Sequence, residues 1–174
     1  MLKKVVIIGP ESTGKSTLSE ALAQHYQTPW VPEYARGYLD RLQRPYGEED
    51  LLQIAAGQLQ TEDEAAARAG GGLLFCDTDL YVIKVWSEHA YGQCDYRILR
   101  RIAERKYDLY LLTDIDIPWQ DDPQREHPEP EMRRYFHHVY RDIVINSGTP
   151  WAGIRGSHRQ RVRQALKAVE RLRG

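Results

Sequence analysis

The sequence contains little cysteine and almost no net charge. Cys76 and Cys94 are its only two cysteines among 174 residues, and they form no Cys-x-x-Cys pair. They therefore provide neither a disulfide framework nor a zinc pattern, and we expect reduced thiols in a cytoplasmic protein. Lys and Arg number 24 and Asp and Glu number 25, which leaves a net charge of −1. No excess of one sign is available to attract nucleic acid or a membrane surface, so we expect neither as a partner.

Long apolar runs are also lacking. The run Val5-Val6-Ile7-Ile8 is far shorter than the roughly 18 residues that cross a bilayer. It ends in a Gly-Pro-Glu turn without a small-residue cleavage site, which argues against a signal peptide. The hydrophobic fraction of 41% and the length of 174 residues predict one globular domain over residues 1–174.

Strand and helix patterns alternate along the chain. Strands are predicted at residues 2–8, 28–31, 73–76, 107–113 and 143–145. Helices are predicted at residues 15–26, 48–69, 78–89, 96–105, 131–141 and 158–172. This alternation indicates an α/β fold with a parallel sheet of about five strands and helices on both faces. In such folds ligands bind beyond the carboxyl ends of the strands.

The strongest motif lies directly after the first predicted strand. Residues 9–16, Gly-Pro-Glu-Ser-Thr-Gly-Lys-Ser, match the phosphate-binding loop G-x-x-x-x-G-K-[ST] at every fixed position. The glycines allow backbone N–H groups to approach phosphate oxygens, and the following helix adds its positive N-terminal end. We therefore predict ATP and Mg²⁺ as ligands, with Lys15 on the β- and γ-phosphates and Ser16 on the metal. The predicted ATP-binding residues are Gly9, Pro10, Glu11, Ser12, Thr13, Gly14, Lys15, Ser16 and Thr17.

Carboxylates follow two further predicted strands. Asp77 ends the apolar run 73–76 and is the candidate for a second Mg²⁺-organising group, with Asp79 two residues later. Glu33 follows the strand at 28–31 and is a candidate for the base that accepts the proton of a substrate hydroxyl. Arg36 lies one helical turn later and can pair with Glu33 or hold a phosphate. Helix capping is an alternative role for Asp77 and Asp79, and the base among Glu33, Asp77 and Asp79 stays open.

Residues 115–130, here called the lid segment, are rich in proline and carboxylates. In small-molecule kinases such a segment closes over the phosphates and supplies an arginine, a role that suits Arg125, Arg133 or Arg134. Trp86 and Trp119 are candidates for stacking on a flat or cationic substrate ring. A solvated surface loop is the alternative interpretation of the lid segment.

The basic C-terminal part of the chain is the one feature that could indicate nucleic-acid binding. Seven Lys or Arg residues face a single acid between positions 155 and 174. No base-stacking aromatics accompany them, so we interpret this part as a surface helix plus a loop arginine near the nucleotide.

Five sequence blocks together resemble a known family. They are GPESTGKSTL (9–18), VPEYAR (31–36), DTD (77–79), IKVW (83–86) and DIPWQDD (116–122). The set resembles the ribosylnicotinamide kinase domain of NadR-type NAD-biosynthesis proteins, also grouped as NadR-like AAA-family ATPases, over residues 3–170.

The resemblance implies a three-layer P-loop fold with the nucleoside-kinase-like strand order 2-3-1-4-5. It implies transfer of a phosphoryl group from ATP to the 5′-hydroxyl of nicotinamide riboside. Glu33, Tyr34 and Trp86 would lie near the nucleoside, Arg125 would be the lid arginine, and residues 146–156 would border adenine. A chain of 174 residues is expected to hold this kinase domain and no adenylyltransferase or DNA-binding domain beside it.

Two other functions stay open at this point. The acceptor could be another nucleoside or small metabolite, or the chain could be a regulatory nucleotide-binding ATPase. The full set of predicted substrate-binding residues is Glu33, Tyr34, Arg36, Asp79, Trp86 and Trp119. The predicted catalytic residues are Lys15, Glu33, Asp77 and Arg125. The sequence leaves open whether copies of the chain associate into a homo-oligomer.

Overall fold

The computed structural model describes all 174 residues. The strands are β1 (Lys3–Ile8), β2 (Trp30–Val31), β3 (Leu73–Asp77), β4 (Leu109–Thr113) and β5 (Trp151–Ile154). The helices are α1 (Lys15–Tyr26), α2 (Tyr34–Arg41), α3 (Glu48–Arg68), α4 (Leu80–Tyr91), α5 (Tyr96–Glu104), α6 (Pro130–Asn146) and α7 (His158–Arg173). All five strands run parallel in the order β2-β3-β1-β4-β5, which confirms the predicted fold class and strand order.

The sheet carries a hydrophobic core on each face. Val5 and Ile7 of β1 pack with residues of α1 and α7, including Leu22. Val6 and Ile8 point to the opposite face, where they pack with α3, α4 and α6, including Val144. These four apolar side chains of β1 are fully buried, as expected for a strand covered on both sides. The uninterrupted apolar run that predicted β1 is therefore explained by its central place.

The fifth strand lies later in the chain than the sequence indicated. The predicted strand at residues 143–145 was wrong, because these residues continue α6 to Asn146. The β-branched run Ile-Val-Ile suggested a strand, but Phe136, Tyr140 and Val144 recur every fourth residue and form one buried face of the helix. The fifth strand is instead β5, which lies within residues 146–156 and pairs with β4 from Trp151 to Ile154.

Helix α2 was not predicted, and it is short and mostly polar. It begins after Glu33 and buries only Ala35, so the apolar pattern that identifies a helix is too weak in this part of the chain. Its first residue is fixed by tertiary contact, since the Tyr34 main-chain N–H donates to the Gln58 side-chain oxygen on α3 over 2.8 Å. This contact sets the position of Glu33.

The structure also describes the two cysteines and the apolar character of the helices. Cys76 and Cys94 are both free thiols, and Cys76 is buried in β3. None of the helices combines the length and the apolar character needed to cross a membrane.

Candidate active site

A cavity of about 560 Å³ opens at the carboxyl ends of the central strands. Residues 9–18, which form the phosphate-binding loop and the start of α1, line one end of it. Side chains of α2, α4 and the lid segment line the other end, including Glu33, Trp86 and Arg125. One continuous space therefore connects a phosphate-binding loop with a second, partly aromatic pocket.

The phosphate-binding loop turns sharply between β1 and α1. Gly9 has φ +150°, and a Cβ there would lie 2.4 Å from the hydroxyl of Thr113, so only glycine fits against β4. Ser12 and Gly14 also adopt positive φ values, of 55° and 75°. The Thr13 hydroxyl is hydrogen-bonded to Thr113 at 2.7 Å. This backbone winds around a concave space, which is the geometry that binds anions.

Lys15 extends along the inside of this loop. Its ammonium group donates to the Pro10 carbonyl over 2.7 Å, and its side chain lines the cavity. A triphosphate would offer this cation a stronger, charged acceptor than a carbonyl oxygen. The arrangement therefore fits the predicted contact of Lys15 with the β- and γ-phosphates.

Ser16 and Asp77 come together at the floor of the loop, where the Ser16 hydroxyl donates to one carboxylate oxygen of Asp77. The other carboxylate oxygen is buried without a hydrogen-bond partner. Burial, and after it the charge of Glu33, raises the pKa of Asp77 to about 6. A hydroxyl and a carboxylate are hard oxygen ligands of the kind that Mg²⁺ takes beside substrate phosphates. These two side chains fit a magnesium ion, which would take its other ligands from the substrate phosphates.

Glu33 stands at the end of β2 as the N-cap residue of α2, where its half-buried side chain lines the cavity. Because it contributes to the raised pKa of Asp77, the two carboxylates share one electrostatic environment. The cavity therefore contains a carboxylate whose charge acts on Asp77.

An aromatic pair forms one wall of the second pocket. Trp86 on α4 and Tyr46, in the connection between α2 and α3, contact each other edge to face at 4.8 Å between ring centres. The Trp86 indole N–H donates to the Tyr46 hydroxyl over 3.0 Å, and that hydroxyl donates to Glu126 of the lid segment over 3.0 Å. His89 on α4 and His127 of the lid segment extend the wall, with their rings 4.8 Å apart. Flat and cationic groups bind well to such a wall.

The lid segment is attached to both ends of the cavity. On the second-pocket side, Arg36 of α2 forms an ion pair with Asp122 at 2.8 Å. On the phosphate side, the Glu11 carboxylate accepts from the main-chain N–H groups of Glu126 and His127, at 3.1 and 3.2 Å. The lid segment is thus tied to α2 at one end of the cavity and to the phosphate-binding loop at the other.

Comparison with known proteins assigns the family. Residues 4–161 match the family AAA_28, described as an AAA domain. The chain belongs to this AAA-domain family. Two relatives are the proteins named "Trifunctional NAD biosynthesis/regulator protein NadR" from Salmonella typhimurium (strain LT2) and Escherichia coli (strain K12). Each is 29% identical over 149 residues, which cover 82% of this chain and 36% of the relative. The chain therefore spans about a third of the length of these curated relatives.

Several solved structures are similar to this member of the AAA-domain family. A NadR protein in complex with NR is similar with a TM-score of 0.81 and 26% identity over 98% of this chain and 49% of that chain. A NadR protein in complex with NAD and AMP-PNP gives 0.79 and 25% over the same shares. Thymidylate kinase from Ehrlichia chaffeensis, at 15% identity over 98% of each chain and a TM-score of 0.62, shares the fold. The chain is thus a NadR-like domain with a P-loop kinase fold.

The cavity of this AAA-domain protein brings together most of the predicted site residues. Those that line it are residues 9–17 together with Glu33, Arg36, Trp86 and Arg125. Asp77 lies beneath the loop, bound to Ser16. Of the three arginines considered for the lid, Arg125 and Arg133 line the cavity, whereas Arg134 is exposed and does not.

Three predicted substrate-binding residues do not line the cavity. Asp79 is buried behind the strand end, where its carboxylate accepts from the Tyr110 hydroxyl and the Tyr81 main-chain N–H. Tyr34 packs its ring against Gly57 of α3. The Trp119 ring lies against the guanidinium of Arg133 on α6, and its indole N–H donates to Asp121 over 2.9 Å. In each case other parts of the protein contact the side chain, so the structure does not bring these three residues to the cavity.

The expected adenine border also differs. Residues 146–156 do not line the cavity, whereas His158 and Arg161 of the following helix α7 do. Sequence reasoning did not identify Tyr46, His89 and His127 either. Tyr46 follows a proline in a polar connection, and nothing in its spacing to Trp86 indicates that they meet.

Proposed function

We propose that this chain is an ATP-dependent kinase that phosphorylates the 5′-hydroxyl of nicotinamide riboside, giving nicotinamide mononucleotide and ADP. The observation that carries the proposal is the single cavity joining the phosphate-binding loop to the pocket formed by Tyr46 and Trp86. Nicotinamide riboside has a flat cationic ring at one end and the reacting hydroxyl at the other, which matches this arrangement. Similarity to NadR proteins in complex with NR and with AMP-PNP supports both substrates.

The donor end of the cavity supplies positioning and positive charge. Lys15 and the N–H groups of the loop bind the phosphates of ATP, and Arg125 reaches the same space from the lid segment. Ser16 and Asp77 would hold Mg²⁺, which neutralises charge on the phosphates when bound. In phosphoryl transfer most of the catalysis comes from such positioning and charge stabilisation.

At the acceptor end, a carboxylate must accept the proton of the attacking hydroxyl. Glu33 suits this role better than Asp77 because its side chain lines the cavity, whereas Asp77 is engaged with Ser16 below the loop. Asp79 is excluded from this role by its place behind the strand end, bound to Tyr110. We therefore assign the base to Glu33 and the metal contact to Asp77.

The test is a product assay. The protein is incubated with Mg-ATP and nicotinamide riboside, and the mononucleotide is measured by mass spectrometry beside parallel reactions with thymidine, uridine and deoxyadenosine. We expect the mononucleotide to form in step with ADP, and the other nucleosides to react at least tenfold more slowly. Preferential phosphorylation of another nucleoside would replace the acceptor. ADP formed equally without any nucleoside would indicate a nucleotide-binding ATPase instead.

A further inference from the structure

A buried arginine of α7 connects three segments at the donor end of the cavity. Arg161 is only 3% exposed, although the helix that carries it is otherwise rich in solvent-facing cations such as Arg159 and Arg163. Its guanidinium donates to the main-chain oxygens of Gly156 at 2.8 Å, Thr13 at 2.8 Å and Asp114 at 3.0 Å. It also forms an ion pair with the Asp116 carboxylate.

The contact with Thr13 bears on the anion-binding geometry of the loop. A peptide unit is planar and trans, so the Thr13 carbonyl and the Gly14 N–H point in opposite directions. With the carbonyl held by Arg161, the Gly14 N–H is directed away from that guanidinium. This N–H donates to no acceptor within the protein.

The neighbouring peptide unit is held in the same way. The Ser12 carbonyl accepts from Arg133 of α6 over 3.2 Å, which directs the Thr13 N–H away from that arginine. Ser12 itself has φ +55°, a conformation that costs a non-glycine residue energy and persists only when its surroundings enforce it. Arginines from two helices thus hold consecutive carbonyls of the loop.

We propose that Arg161 is a positioning residue for the phosphates of the donor nucleotide. It fixes the Thr13–Gly14 peptide unit against the end of β4 and the turn before α7, so that the Gly14 N–H stays directed at phosphate oxygens. The proposal rests on the proposed function for the identity of the donor, ATP. A planar guanidinium suits the role because it donates in several fixed directions, whereas a lysine ammonium acts as a point charge.

The test measures binding separately from turnover. Dissociation constants for Mg-AMP-PNP, inorganic tripolyphosphate and adenosine are determined by calorimetry for the wild type, Arg161→Gln and Arg161→Lys. Arg163→Gln is the matched control, since Arg163 is exposed on the same helix and makes no hydrogen bond or ion pair. We expect Arg161→Gln to raise the dissociation constants of Mg-AMP-PNP and tripolyphosphate at least tenfold. The fold-change for adenosine should be at least five times smaller than the fold-change for AMP-PNP. Arg161→Lys should fall between Arg161→Gln and the wild type, and Arg163→Gln should match the wild type.

Two results would overturn the proposal. One is AMP-PNP binding by folded Arg161→Gln within twofold of the wild type. The other is an equal loss for adenosine and AMP-PNP, which would mean that Arg161 only supports the fold around the base. Should Arg161→Gln not unfold cooperatively in a thermal melt, the same criteria apply to Arg161→Lys. A wild type that fails to phosphorylate nicotinamide riboside, combined with a phosphate-selective loss in Arg161→Gln, would contradict the proposed function and leave this inference standing.

Discussion

Asp77 and Asp79 are separated by a single residue and face opposite sides of the end of β3. The Asp77 carboxylate accepts from the Ser16 hydroxyl beneath the phosphate-binding loop. The Asp79 carboxylate turns to the other side, where it accepts from the Tyr110 hydroxyl over 2.7 Å and caps α4 through the Tyr81 N–H. Thr78 between them has φ +72°, which produces the reversal. One short acidic motif thus contributes both to the site and to the core.

This separation predicts different effects for the two amide substitutions. Asp77→Asn removes the charge proposed to hold Mg²⁺, so kcat should fall about 10²- to 10³-fold. Asp79→Asn keeps one side-chain oxygen for the helix cap at Tyr81 and presents an amide N–H group that can donate to the Tyr110 hydroxyl oxygen, so kcat should stay within about threefold of the wild type. Steady-state rates at saturating Mg-ATP and nicotinamide riboside provide the measurement. Equal losses in both variants would contradict the division of roles.

Asp79 should also make folding stability pH-dependent. Burial raises the pKa of Asp79 to about 7, so the folded state favours the protonated carboxyl. The contribution of this protonated carboxyl to the free energy of unfolding is fully present below the unfolded pKa of about 4. It is lost as the pH rises through the folded pKa of about 7. Asp77, with a pKa of about 6, adds a similar loss that ends at lower pH.

The comparison between wild type and Asp79→Asn is therefore made above pH 6. Between pH 6 and 7.5 the unfolding free energy of the wild type should fall by on the order of 1 kcal/mol more than that of Asp79→Asn. Urea unfolding at several pH values gives these free energies. Parallel pH profiles for the two proteins would show that Asp79 does not titrate in this range.

How far sequence reasoning reached depended on the kind of interaction. The phosphate-binding loop and the buried strands were predicted because their signals are local: fixed glycine spacing and continuous apolar runs. Asp79 is predicted to bind the substrate because it lies only two residues from Asp77. Nothing in the sequence indicates the positive φ of Thr78, which turns the two carboxylates to opposite sides. The pairing of Tyr46 with Trp86 was not predicted, since it joins residues 40 positions apart through the packing of α4. Tertiary contacts of this type leave no periodic pattern in the sequence.

The two tryptophans considered for stacking provide a third prediction. Trp86 lines the second pocket, whereas Trp119 lies outside it beside Arg133. Trp86→Leu should raise the KM for nicotinamide riboside about tenfold with little change in the KM for ATP, since an aromatic contact with a cation contributes about 1–2 kcal/mol. Trp119→Leu serves as the matched control and should leave both KM values within about twofold. An equal rise in KM for Trp119→Leu would restore its assignment to the substrate.

The ion pair between Arg36 and Asp122 should help to keep the lid segment closed. Arg36 also lines the cavity, so its substitution combines two effects, whereas Asp122→Ala removes the ion pair and one turn hydrogen bond from the Gln124 N–H inside the lid segment. Because the Arg36 side chain is 43% exposed, the pair is worth little, and Asp122→Ala should raise the KM for the nucleoside about two- to fivefold. A higher salt concentration should raise the wild-type KM for the nucleoside toward that of Asp122→Ala, because salt screens the ion pair. A double-mutant cycle with Arg36→Ala isolates the pair, and additive effects would show that it contributes nothing to closure.

A final prediction concerns the packing that positions α2, and through it Glu33. Gly57 of α3 lies against the ring of Tyr34, and a Cβ at Gly57 would stand 2.2 Å from two of its ring carbons. Alanine favours a helix over glycine by about 1 kcal/mol, but overpacking typically costs about 1–3 kcal/mol, so Gly57→Ala should be net destabilising. The melting temperature should drop by a few degrees, and the KM for the nucleoside should rise as α2 shifts.

Gly153→Ala in β5 is the control for Gly57→Ala, because a Cβ at Gly153 meets no atom within 4 Å. Its melting temperature should stay close to that of the wild type. Combining Gly57→Ala with Tyr34→Leu removes the ring that causes the clash, so the double variant should be more stable than the sum of the two single changes predicts. Strict additivity, or a Gly57→Ala protein at least as stable as the wild type, would show that α2 is not held in place by this contact.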